Sequence, residues 1–224
     1  MNQFVLPSDS RSNLRPGQIR QLARRDAILK AALHLFAQRG YYGTAVPDIA
    51  ELAGVGTGTI YRYFENKEDL VNAVLLHCGQ TLKKVLLQDQ GIFALNGTIR
   101  ELFARFWGRL IEFAEQYPDE FQFLELQHHV PYRSEHSWRC QREQMLPLWF
   151  FAMLARQVGV IRDQPVELTV NLVWGMYVNL FKGSYAGYYP LTEQVFIQAE
   201  QNAWEAFSNG HDGNIGPEVF LQQA

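Results

Sequence analysis

The chain has 224 residues, 47% of them hydrophobic, and a formal net charge of −3. That is enough apolar material for a sizeable core, in one large domain or two smaller ones. Two cysteines, Cys78 and Cys140, exclude a disulfide framework and suit a reducing cytoplasm, where the protein is expected to reside. The opening MNQFVLPSDSR has neither the basic start nor the apolar run of a signal peptide, so none is expected.

The charge is uneven. Up to Lys67 there are nine Lys/Arg against five Asp/Glu, and from Glu68 onward eleven against eighteen. A basic front on an acidic body fits a nucleic-acid-binding segment joined to something else. Residues 1–20, with Pro7, Pro16 and Gly17, are expected to form a flexible basic arm. Its arginines are either a solvated tail, the reading favoured for Arg11 and Arg15, or contacts to DNA phosphates or the minor groove.

The first helix is predicted over RRDAILKAALHLFAQRG. There Ile28, Ala31, Ala32, Leu35 and Phe36 follow the helical template, and Gly40 is the stop. A second helix carries Val46, Ile49, Ala50 and Ala53 on one face, with Thr44 as its expected cap and Pro47 in its first turn. The stretch AGVGTGTIYRYFENKEDL follows. Its glycines do not make a nucleotide loop: the third glycine of G-x-G-x-x-G falls on Thr59, and a helix rather than a strand precedes it. Helix, short glycine turn, helix is the helix-turn-helix arrangement. The short third helix is predicted over 57–64. Asn66 and Asp69 then resemble a capping box opening a helix that reaches about Gln88.

In the third helix Ile60 and Phe64 lie four apart and should pack inward. Thr57, Thr59, Arg62, Tyr63 and, partly, Tyr61 are left facing out. Hydroxyls and backbone N–H groups there suit phosphates, and an arginine suits base edges in a major groove. Thr44 and Lys67 are similarly placed for phosphate contacts. Singly, Tyr61 and Tyr63 read as packing residues and Arg62 as a solvated surface residue; only on this scaffold do they become a set.

The run from Ile28 to Leu70 resembles the DNA-binding region of TetR-type bacterial transcriptional regulators. The resemblance is carried by Ile28, Ala31, Ala32, Phe36, Gly40, Tyr41, Thr44, Val46, Ile49, Ala50, Ala53–Gly54–Val55, Thr59–Ile60–Tyr61, Tyr63–Phe64, Lys67 and Leu70. It implies DNA-contacting roles for Thr44, Thr57, Gly58, Thr59, Tyr61, Arg62, Tyr63 and Lys67. Gly56 departs from the pattern where the family often has a capping serine. The resemblance also implies a C-terminal helical domain that dimerises through its last two long helices and holds a small-molecule pocket.

The rest of the chain reads as helical, giving an all-α protein of about nine helices. The expected divisions are the arm 1–20, a three-helix helix-turn-helix domain 21–67, an effector-binding and dimerisation domain 68–209, and a tail 210–224. The longest apolar stretch, LTVNLVWGMYVNLF, has 14 residues, below the ~20 of a bilayer span. The longer run around it, VELTVNLVWGMYVNLFKGSYAGYY, is apolar nearly all round, so it must be buried on several sides, with Gly175, Gly183 and Gly187 allowing close helix approach. The final helix offers Phe196, Ala199, Ala203 and Phe207 as a seam. From the aromatic middle of the chain, a subset of Phe103, Trp107, His128, Tyr132, Trp149 and Tyr177 is expected to line a cavity for an aromatic or lipophilic effector.

His128, His136 and Cys140 raise a metal or redox sensor as the alternative. A closed zinc site needs about four closely spaced ligands and there is no C-x-x-C, so no metal is expected. For an enzyme, His77, Cys140, Glu120 and Glu125 are at hand. No nucleophile elbow, Ser-His-Asp order or metal motif supports one, and no catalytic residue or cofactor is expected. The expected protein is a homodimeric repressor, released from a near-palindromic duplex operator by a small effector.

Overall fold

A computed structural model describes residues 15–88, 97–126 and 145–215. Among them are nine helices: α1 (Pro16–Arg39), α2 (Val46–Leu52), α3 (Thr57–Ile60), α4 (Lys67–Leu86), α5 (Ile99–Gln116), α6 (Pro118–Leu126), α7 (Leu146–Gln157), α8 (Val166–Tyr185) and α9 (Glu193–Phe207). The described residues form two compact units, divided within α4 between Gly79 and Gln80. The first also takes α6, and the second holds α5 and α7–α9.

Helix α1 begins at Pro16, inside the segment expected to be a loose arm. Proline punctuates a chain when it falls inside a helix, but in the first turn its missing N–H is not needed and its fixed φ favours the helix. The Gln18 side chain accepts from the Arg15 N–H at 2.9 Å, closing this end. Residues 1–14 of the arm lie outside the described residues. The expected stripe does become core: Ile28, Ala32 and Phe36 are fully buried, together with Ile49, Ile60, Leu70 and Phe123. Phe36 meets Phe123 of α6 at a centroid distance of 6.2 Å. Two histidine–carboxylate pairs also hold α6 in this unit, His34–Asp119 at 2.9 Å and His77–Glu120 at 3.8 Å.

The second unit is built on rings. Phe103 of α5 lies 5.2–5.8 Å from Trp107, Phe151, Trp204 and Phe207. Tyr177 of α8 is fully buried and donates its hydroxyl to the Leu110 carbonyl at 2.9 Å. Across α5 and α9, Arg100 grips Glu200 with both guanidinium nitrogens and lies over the Trp204 ring.

The expected tail starts too early. Asn214–Ile215 (β2) pairs antiparallel with Gly97–Thr98 (β1). The Gly213 and Asp212 carbonyls accept from Ile99 and Arg100, at 2.8 and 3.1 Å, satisfying two first-turn donors of α5 that have no partner within the helix. Two-residue strands carry no alternation to read, which is why sequence periodicity misses them; the protein remains all-α in class. Residues 216–224 lie outside the described residues.

The final-helix seam is half corrected. Ala203 and Phe207 are fully buried in their own chain, Phe207 against Phe103 and Phe151. Only Phe196 and Ala199 stay half-buried. Gly183 serves an internal contact: a Cβ there would collide with the Tyr189 hydroxyl, which donates to the Leu180 carbonyl at 2.9 Å.

Candidate nucleic-acid interface

Helix α2 ends in a left-handed cap. Gly54, at φ +66, takes the position that a Cβ disfavours. The Val55 N–H reaches back to the Ala50 carbonyl at 2.9 Å and the Gly54 N–H to Glu51 at 3.1 Å, the paired bonds of a Schellman ending. The chain is thereby turned into α3, whose N-cap is Gly56, its carbonyl accepting from the Thr59 N–H at 2.8 Å. Gly56 therefore keeps the helix start without the serine.

Helix α3 is shorter than expected, four residues rather than 57–64, and continues as turns in which Tyr63 and Phe64 donate to the Ile60 carbonyl. The inward pair is as expected: Ile60 and Phe64 are buried. With those two positions fixed, Gly58, Tyr61 and Arg62 are exposed, and Thr57, Thr59 and Tyr63 are half-buried. Tyr61 exposes 52% of its surface. Gly58 sits in helical backbone, and a Cβ built on it meets nothing. The fold does not require glycine there, although an interior helical glycine costs roughly 1 kcal/mol relative to alanine.

Thr44 leaves the predicted set. It is 2% exposed, and its hydroxyl points at the Gly40 and Leu35 carbonyls, at 2.8 and 3.1 Å. It is not the cap of α2 either; that position is Ala45, with Pro47 in the first turn as expected. The threonine joins the end of α1 to the start of α2, so its donor is spent inside the protein.

Lys67 is half-buried at the start of α4. Its ammonium donates to the Tyr41 carbonyl and lies 4.0 Å from the Tyr41 ring centroid. Burial lowers its pKa, against the raising effect of neighbouring Glu68. The Tyr41 hydroxyl donates to Glu68 at 2.6 Å, and this bond holds the Glu68 carboxyl below its ordinary range. Asn66 caps α4 as expected, accepting from the Asp69 N–H at 2.8 Å. This network fixes the outer end of the head, and an ammonium with three donors keeps two for a partner.

Sequence reasoning missed Tyr42. It is 77% exposed and stands edge-on to Tyr41 at 5.2 Å, just before α2. No periodicity runs through this turn, so nothing in the string separates Tyr42 from its buried neighbour.

The predicted effector residues scatter. Phe103, Trp107 and Tyr177 are core, at most 2% exposed. Their rings pack against each other and against Phe151, Trp174 and Phe207. The Trp107 Nε1–H finds no acceptor among the described residues. Trp149 does line a cleft of about 380 Å³, with Lys83, Leu87, Leu146, Pro147, Phe150 and Met153. His128 and Tyr132 lie outside the described residues, as do His136 and Cys140. Cys78 is fully buried, and burial, reinforced by nearby Glu120, pushes its thiol well above the ordinary range, away from redox reactivity. Among the described residues there is no group of three or more metal-ligating side chains, and no helix long and apolar enough to cross a membrane.

Helices α1–α3 make a helix-turn-helix head, and the comparisons with known proteins agree with that class. Residues 28–74 match the family described as bacterial regulatory proteins, tetR family, and residues 76–209 match the tetracyclin repressor-like C-terminal domain. The chain belongs to the tetR family of bacterial regulatory proteins. It is 47% identical over 60 residues to the HTH-type transcriptional repressor Rv3405c of Mycobacterium tuberculosis, a match covering 27% of this chain and 32% of that protein. A TetR family transcription regulator from Marinobacter aquaeolei VT8 superimposes with a TM-score of 0.75 at 23% identity, covering 85% of this chain and 98% of the other. FadR of Bacillus subtilis, solved in complex with stearoyl-CoA, gives a TM-score of 0.65 at 20% identity, covering 83% and 98%.

Proposed function

We propose that the protein is a sequence-specific DNA-binding repressor, homodimeric and cytoplasmic, released from a near-palindromic operator by a small lipophilic or aromatic effector. Residues 21–67 form the reading head in this account and 68–209 the effector-binding and dimerisation part.

The observation that carries the reading is the set Thr57, Gly58, Thr59, Tyr61, Arg62 and Tyr63, exposed or half-buried on α3 and the turns that follow it, which are anchored by Ile60 and Phe64. A glycine that the fold does not need leaves room for a duplex backbone to approach. Arg62, with no partner among the described residues, reads a base edge, guanine best. Thr57, Thr59, Tyr61 and Tyr63 give hydroxyls to phosphates, Lys67 gives one charge, and Tyr42 adds a contact at the edge.

Two features support the dimer. On α8, which buries eight of its 20 residues, Leu168 and Leu172 remain 44% and 40% exposed and a Cβ on Gly175 meets nothing, so apolar positions of this helix are left open. Ile197 of α9 is exposed as well. A second copy covering these positions would make the dimer, and a dimer reading a two-fold site places its heads on successive major grooves, roughly 34–36 Å apart. The effector part is supported by the bound acyl-CoA of the FadR relative and by the apolar cleft of this chain. An effector acts by preferring one head spacing, and shifts the population by no more than its differential affinity.

Sedimentation of the full chain with and without duplexes recovered from a random library tests this. A dimer that binds one near-palindromic duplex is expected; a monomer, or binding indifferent to sequence, overturns the proposal.

A further inference from the structure

Helix α7 is apolar on two sides. Leu148, Phe151, Ala152 and Ala155 are buried in the second unit, while Leu146, Phe150 and Met153, spaced i, i+4, i+7, remain exposed on another face. With Pro147 and half-buried Trp149 that face lines the cleft of about 380 Å³, and Lys83 and Leu87, four residues apart, line it too. The volume is at the small end of ligand sites. An exposed apolar stripe flanked by a polar group is where a soluble protein meets something else. Of the seven lining residues only Lys83 is charged, and its ammonium has no ion pair or hydrogen bond with the rest of the chain among the described residues.

We propose that this cleft takes a small amphiphilic anion, a hydrocarbon chain ending in a carboxylate. The chain lies against Trp149, Phe150 and Met153, and the carboxylate meets the Lys83 ammonium. The assignment rests on the effector reading above and narrows it by charge. The carboxylate stays at the rim, where it keeps part of its hydration while gaining a charge-assisted contact, so no ion is buried alone. A neutral chain gains the same apolar burial without that contact. A lipophilic cation could use the aromatic faces, but it would sit beside a like charge.

The test uses dodecanoate, dodecanol and dodecyltrimethylammonium, each below its micellar concentration, titrated into the full-length protein by calorimetry. Dodecanoate is expected to bind about fivefold tighter than dodecanol, the scale of an exposed ion pair, and the cation weakest. Lys83→Gln should bring dodecanoate down to the affinity of dodecanol, Lys83→Arg should keep the preference, and Met153→Asn, which removes apolar surface without adding charge, should weaken all three. Equal affinities, no binding, or a preference that survives Lys83→Gln overturns the proposal. So does binding that ignores Lys83→Gln and is lost in Trp107→Phe, which would place the ligand in the aromatic core.

Duplex binding is read separately. Dodecanoate that binds through Lys83 yet leaves duplex affinity unchanged upholds the anion site and removes the effector reading. Release of duplex by dodecanol and dodecanoate alike, equally in Lys83→Gln, keeps the effector reading and removes the anion site.

Discussion

The stretch 54–64 and the cluster around Phe103 are both rich in rings, yet Tyr61 is 52% exposed whereas Phe103, Trp107 and Tyr177 are at most 2%. Size of element explains the contrast. A helix of four residues and the turns after it have room for one pair of anchors, and with Ile60 and Phe64 buried, Tyr61 and Arg62 stay exposed and Thr57, Thr59 and Tyr63 half-buried. Helix α5 has 18 residues with neighbours on several sides, and its rings turn toward them. Aromatic residues near one another in sequence therefore mean a surface in the first case and a core in the second.

The sharpest way to break this contrast is to cut a ring from the cluster. Phe103→Ala should cost about 3–5 kcal/mol of folding stability, measured by urea unfolding, because it leaves a cavity among packed rings. A small loss would return Phe103 to the wall of a cavity. On the other side, Arg62→Ala should leave stability alone and cost about 1–3 kcal/mol of binding to a selected duplex, with discrimination lost at one base pair. Uniform weakening on all duplexes would demote Arg62 to a phosphate contact.

Lys67 stands between the two behaviours. Lys67→Ala should cost roughly 1 kcal/mol of stability through the lost bond to Tyr41, and should also make the slope of log affinity against log salt shallower by about one phosphate. An unchanged slope leaves Lys67 purely structural. Gly58→Ala should raise stability by up to about 1 kcal/mol while weakening duplex binding; undiminished binding would mean nothing approaches that backbone.

The smallest effect concerns pH. Glu68 is depressed in the folded state, so its contribution is present above its unfolded pKa and is lost as pH falls through the lower folded value. Tyr41→Phe should flatten the acid limb of the stability curve, and an identical limb would show that the bond contributes nothing.

Much of the head was legible because local chemistry decides it. The Ile28–Phe36 stripe, the Gly54 turn, the Ile60/Phe64 pair and the Asn66 cap each depend on residues within a few positions. Thr44 was misread because its partners, Leu35 and Gly40, belong to the preceding helix, and a capping threonine looks the same in sequence as one tying two helices together. Pro16 was misread for want of knowing where the helix starts. In the second unit the deciding partners are distant: Phe207 packs on Phe103, and residues 212–213 close the start of α5. Periodicity marks an apolar face there without saying whether protein, ligand or a second copy covers it. The Lys83 cleft was invisible for the same reason, since it joins the end of α4 to α7.

The most direct test of the reading head is selection from a random duplex library by full-length wild-type protein and by the Arg62→Ala and Gly58→Ala variants, over a salt series. Wild type should enrich one near-palindromic family of sites, with affinity falling linearly in log salt; Arg62→Ala should recover that family relaxed at one base pair, and Gly58→Ala should bind it more weakly. If all three proteins recover the same sites with equal affinity, residues 57–63 do not read DNA.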